Sequence, residues 1–253
     1  MNRLIAIAIA LAAVQSSVSV AASEAPSAGL QVLLDDFALH ASKDQTKDVS
    51  DAVMASPALA RQLGDLVAAN QFKGFAIVSE ESLQGSPFAA TIDHGKIVFT
   101  ARFLEQPAQQ RIFDIVHPGD ILPNNLVFAL GALAFHLQAA ATPKTMPADK
   151  ETFMHLAMEE DASSFLQGWN DVVDAAIHEN HDQPLVVSQQ GALWLNLRYR
   201  SVIPGTDNSL DQSPSGALPL TDKNVAKVGE FISHVNMLDF GAMSGFAAPS
   251  QVH

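Results

Sequence analysis

The sequence predicts an α+β fold, mainly helical with a small β-sheet or hairpin. Three observations carry that prediction. Along most of the chain the apolar residues recur at i, i+3 and i+4, the spacing that gathers them on one face of a helix. Between residues 75 and 100 the pattern changes to short β-branched and aromatic runs around Asp93-His94-Gly95, a turn with Gly where positive φ is cheap. Residues 204–221 are rich in Pro, Gly, Ser and Asp and read as a loop ahead of a last helix.

The elements follow in order. Met1-Asn2-Arg3, an apolar run from Leu4 to Val14 and small residues up to Ala22 have the layout of a secretory signal peptide, residues 1–22. The run is too short for a membrane anchor, which needs ~20 residues. A single domain over 23–253 is therefore expected in the periplasm or outside the cell, with no membrane insertion once the signal is cleaved. Leu30, Leu33, Leu34, Phe37 and Leu39 approximate a helical face up to Ala41. Ser56-Pro57 opens a second helix with the stripe Leu59, Leu63, Leu66 and Val67. Residues 75–78 read as a strand, and 89–92 and 96–100 as a hairpin. Phe103 to Phe113 reads as a short helix.

Residues 125–141 form a helix that is apolar nearly all round, hence central and buried. Pro143 and Pro147 stop it. A long helix over 150–178 carries the stripe Phe153, Leu156, Ala157, Phe165, Leu166, Trp169, Val172, Val173 and Ala176. Leu185 to Val187 is a short candidate strand, the type of 192–201 is open, and a last helix spans 222–238.

Charge and composition narrow the function. The chain has 27 acidic and 14 basic residues, a formal charge of −13. Loss of Arg3 with the signal makes it −14, a poor match to nucleic acid or anionic membrane. There is no cysteine, so thiolate metal sites, thiol catalysis and disulfides are excluded.

One helix carries the most chemical information. Residues 132–136 read Ala-Leu-Ala-Phe-His. A zinc-protease helix reads His-Glu-x-x-His, with both histidines on one face and the Glu as general base. His136 matches the second histidine. Ala132 stands in place of the first and Leu133 in place of the base. With a hairpin before this helix and Glu159-Glu160-Asp161 on the helix after it, the chain resembles the zincin-like metallopeptidases over about residues 75–176.

The resemblance implies a zincin-like core, an edge strand able to pair with a peptide, and a third ligand from the later helix. Glu160 or Asp161 matches that ligand, with Glu159 a further choice. The metal set it implies is thus His136, Glu160 and Asp161, with no catalytic residue and either no cofactor or weakly bound zinc. Catalytic zinc wants three protein ligands and an open position, plus a group that takes the proton of the attacking water. The expectation is therefore a catalytically inactive protein that binds a peptide, protein or small ligand in a former protease cleft. The alternatives are an active metallopeptidase with a non-standard ligand set, or an inhibitor- or immunity-type module without metal.

Plainer readings stand beside these. His136 alone is a core histidine bonded to a neighbour. Glu159, Glu160 and Asp161 form a helix face that cannot point inward all at once, since successive residues turn by about 100°. Asp161 aligns with the apolar stripe, and Glu160 shares a face with Leu156 and Ser164. His155 and Glu159 share a face, His117 lies in a loop, and His178 and His181 mark a polar helix end. Ser163-Ser164 lie mid-helix, away from any nucleophile elbow. Trp169-Asn170-Asp171 read as a core aromatic with polar caps. Arg198 and Arg200 alternate in a possible strand and could pair with acidic residues.

Overall fold

The computed structural model describes residues 25–83, 90–105, 126–141, 149–179 and 210–234. Among them are seven α-helices and a three-stranded mixed sheet, an α+β architecture dominated by helix. None of these helices is long and apolar enough to cross a membrane.

Three helices come first. Helix α1, Ala28–Ala38, buries Leu30, Leu34 and Phe37, and the Ser27 side chain caps its start. It ends earlier than the apolar pattern suggested. Leu39 is the C-cap and 79% exposed, so it does not belong to the buried face. Helix α2, Lys43–Ala55, is absent from the sequence reading. Its signal is a capping box: Gln45 N–H donates to Ser42 Oγ, and Ser42 N–H donates to Gln45 Oε1. Helix α3, Pro57–Ala68, starts where Ser56-Pro57 predicts and buries Leu59, Ala60, Leu63 and Leu66.

Strand β1, Phe75–Val78, pairs in parallel with β3, Lys96–Thr100. Strand β2, Ala90–Asp93, pairs antiparallel with β3, giving the order β1-β3-β2. The β2–β3 turn has φ +48° at His94 and +82° at Gly95, the left-handed pair of a two-residue hairpin turn. Helix α4 begins at Ala101, ahead of the expected Phe103, and runs to Glu105. Phe75, Phe99 and Phe103 stack in series, with centroids 6.2 and 6.0 Å apart, tying the sheet to α4.

Helix α5, Leu126–Ala141, is the buried helix, and helix α6, Lys150–Glu179, the long one. Of the stripe assigned to α6, Phe165, Leu166, Trp169, Val172, Val173 and Ala176 are buried, whereas Leu156 is 46% exposed. Helix α7, Asp222–His234, packs on α6, where Gly229 lies against Met158 and Ala162. The segment before α7 is a loop strapped to α6. Trp169 Nε1 donates to the Gly216 carbonyl at 3.0 Å, and Asn170 exchanges two bonds with the backbone of Leu218. The proposed signal peptide, the segments 185–187 and 192–201, and the ends expected at 113 and 238 lie outside the described residues.

Candidate functional site

The site is built where α5 meets α6. The two helices run antiparallel, since Phe128 lies against Phe165 and Gly168 while His136 lies against Glu160 and Asp161. Their approach is close because both carry glycine at the crossing. A Cβ on Gly168 would sit 2.6 Å from the Phe128 carbonyl oxygen, and one on Gly131 would collide with the Asp171 carboxylate. The Phe128 and Phe165 rings pack edge to face at 5.3 Å. This crossing fixes the register, and the register brings His136 to Glu160 and Asp161 from 24 and 25 positions away.

All three side chains are buried: His136 is 0% exposed, Asp161 2% and Glu160 8%. His136 Nδ1 lies 3.0 Å from Glu160 Oε1, and Nε2 lies 4.0 Å from Asp161 Oδ1. Glu160 and Asp161 are successive on the helix, so they project about 100° apart and address different nitrogens of one ring. With a proton on Nδ1, the ring donates to Glu160. That bond holds the imidazole's orientation in the way an outer carboxylate holds a metal-ligating histidine.

The sequence thus singled out three residues that the fold gathers together. Their arrangement is a carboxylate–imidazole–carboxylate array. The two imidazole nitrogens face outward from the ring in different directions, so one ion on His136 cannot also take both carboxylates across it. Among the described residues, no three His, Asp or Glu side chains converge as a metal set. Ala132 and Leu133, which the sequence resemblance would align with a first ligand and a base, are buried at 0% and 1% exposure and belong to the close-packed interior. By themselves these described side chains do not make up the three-ligand zinc of a hydrolase.

The other sequence candidates lie apart. His155 and Glu159 approach to 3.7 Å on an exposed face of α6, with side chains 65% and 47% exposed. His94 sits in the hairpin turn, and His178 in the last turn of α6. Ser163 Oγ donates to the Glu159 carbonyl and Ser164 Oγ to that of Asp161, the usual habit of serine within a helix. His117, His181, Trp194, Arg198 and Arg200 lie outside the described residues.

Two further acidic residues of α6 matter: Asp174, which the sequence did not single out, and Asp171, which it offered only as a polar cap beside Trp169. Asp174 Oδ2 accepts from Ser56 Oγ at 2.7 Å and from Ala58 N–H at 2.9 Å, so α6 caps the start of α3. Asp171 is fully buried against Gly131. Burial pushes its carboxyl up to about 7, against the opposing effect of a 3.0 Å bond from Gln167 Nε2, while Asp174 adds to the rise. Among the described residues its Oδ2 has no hydrogen-bond partner. The available sequence signal was an Asp set between Trp169 and Val172 on the buried stripe.

Comparisons of the chain with protein-family models, with curated proteins and with solved structures find no match.

Proposed function

We propose that this chain is an exported, zincin-like protein that holds an extended peptide beside its buried histidine helix without cutting it. The observation that carries this reading is the buried His136–Glu160–Asp161 array combined with Ala132 and Leu133 in the interior. The frame keeps the second histidine and the later carboxylate together. It puts methyl and isobutyl groups where a hydrolase needs a ligand and a base. Zinc binding at this array is weak at most, because a single imidazole with one carboxylate on its outer nitrogen is an incomplete set.

The sheet supports the peptide part. Strand β2 is an edge of the described sheet and packs near α5. An edge strand offers backbone N–H and C=O groups to an incoming extended segment, which gives affinity with little demand on sequence.

One experiment reads both halves of the proposal. The full chain is incubated with a degenerate decapeptide library, with and without zinc, and the bound and free fractions are sequenced by mass spectrometry. The expected result is retention of intact peptides and no new termini. Retention that is indifferent to a proline replacing Ile92, whose N–H faces away from β3, would overturn the edge-strand assignment, and so would the absence of retained peptide. Zinc-dependent cleavage lost in His136→Ala would replace this reading with that of an active metallopeptidase.

A further inference from the structure

The crossing of α5 and α6 holds a titratable group that the histidine array does not use. Asp171 is 0% exposed, and its carboxyl abuts the α5 backbone at Gly131, where a Cβ would collide with Oδ2. Its two oxygens have unlike surroundings. Oδ1 accepts from Gln167 Nε2 at 3.0 Å, whereas Oδ2 has no hydrogen-bond partner among the described residues. Gln167 is half-buried and also lines an open groove between α3, the end of α5 and α6. Water in that groove is therefore one side chain away from the carboxyl.

No cation among the described residues answers this carboxyl. On α6 its charged neighbour is Asp174, whose negative charge opposes ionisation. Helix α5 meets it with Gly131, and the ionisable residue of α5, His136, is held at the Glu160 end. On α3, Arg61 and Asp65 are exposed. On α2, Lys47 and Asp51 pair with each other, and Asp48 responds to those two and to Asp44. In the strap before α7, Asp211 pairs with Lys223. Helix α7 carries Lys227 and Glu230, but Gly229 between them lies at Met158 and Ala162, about two and a half turns before Asp171. A carboxylate without a cation or a full set of donors is unstable away from water, so the closed crossing holds the neutral acid.

We infer that Asp171 is a pH-sensitive latch: the neutral acid lets the glycine faces of α5 and α6 close, and its ionisation admits water between them and loosens α5 around His136. At the crossing, Gly168 and the Phe128 carbonyl leave no room even for a methyl group, so a hydrated carboxylate fits only if the backbones part. Gly131 and His136 lie five residues apart on one helix, so the motion reaches both. Parted from α6, a helix of 16 residues is marginal in water, and its amides exchange. The two titrations fix the direction. The carboxyl titrates at about 7 in the closed crossing and near its ordinary 3.8 once hydrated. The open fraction therefore grows about tenfold per pH unit between those values and is level above them. The latch is independent of peptide binding.

Hydrogen exchange of the full chain, read amide by amide by NMR and corrected for its intrinsic pH dependence, tests the latch. At about pH 7, amides of α5 over 127–137 should be at least about tenfold less protected than those of α3. They should also change little with urea below the unfolding transition, while α3 amides follow global unfolding. From about pH 4 to about pH 7, α5 protection should fall about tenfold per unit, and Asp171→Asn should remove that fall. The urea comparison uses the wild type alone, so it decides the matter even if the variant does not fold. Equal protection and equal urea dependence in α5 and α3 would overturn the latch, because Asp171 would then act on global stability only. A pH dependence that Asp171→Asn leaves intact would overturn it as well.

Discussion

His136 is where burial and charge meet most closely. Its ring fills the space between two carboxylates that are nearly or wholly removed from water. Removing a fully buried ring leaves a cavity and a desolvated carboxylate that has lost its 3.0 Å bond to the ring. His136→Ala should therefore destabilise the fold by about 2–5 kcal/mol. Urea unfolding followed by circular dichroism measures it, and a loss below about 1 kcal/mol would mean that the ring is dispensable. Asp171 makes a separate, pH-dependent prediction. Its folded-state pKa is raised from 3.8 to about 7. Between those values the folded chain keeps a proton that the unfolded chain has released. Stability therefore falls as pH rises from about 4 to about 7, then levels. Asp171→Asn keeps the shape and the bond from Gln167 but cannot ionise. Relative to this variant, the wild type should lose thermal stability across that window, by an amount on the order of a few kcal/mol. Parallel slopes for the two proteins would contradict the buried, protonated carboxyl.

Between elements, two contacts set the geometry of the site. The first is the glycine crossing of α5 and α6. Gly168→Ala would place a methyl group against the Phe128 carbonyl, a backbone atom that cannot swing aside. The helices must then separate, at a cost of about 1–3 kcal/mol or more. Because the same crossing holds His136 to Glu160, the histidine resonances in an NMR spectrum should shift in that variant. The second contact is the cap that Asp174 provides to α3. Asp174→Ala removes an acceptor from Ser56 and from the Ala58 N–H, and should cost about 1–2 kcal/mol, read from the urea midpoint. Helix α2 shows why some elements were not legible. It carries Lys43, Asp44, Lys47, Asp48 and Asp51 against only three buried residues, Val49, Ala52 and Val53. Its apolar stripe is thin, so periodicity passes over it, although the Ser42 and Gln45 capping box was there to read. The hairpin was legible because its turn chemistry is local. The parallel pairing of β1 with β3 was not, because it joins segments about twenty residues apart with no local signal.

Across the whole molecule, the long-range geometry rests on small residues. Periodicity alone places Asp161 on the buried stripe and allows Glu160 to reach the core, and both are buried. Which residue they meet depends on the antiparallel register of α5 and α6, which Gly131, Gly168 and Phe128 determine through close packing. No helical period encodes that match, so the contact with His136 is not legible in either helix alone. The same resemblance frames the function. A hairpin, a buried histidine helix and an acidic helix follow one another, and the proposed alignment sets Ala132 and Leu133 where a zincin would carry a ligand and a base. The most direct measurement of this account is the fate of the decapeptide library in the presence of zinc. Peptides should be recovered bound and intact, at the same yield with and without a chelator. New peptide termini that require zinc and disappear in His136→Ala would contradict it.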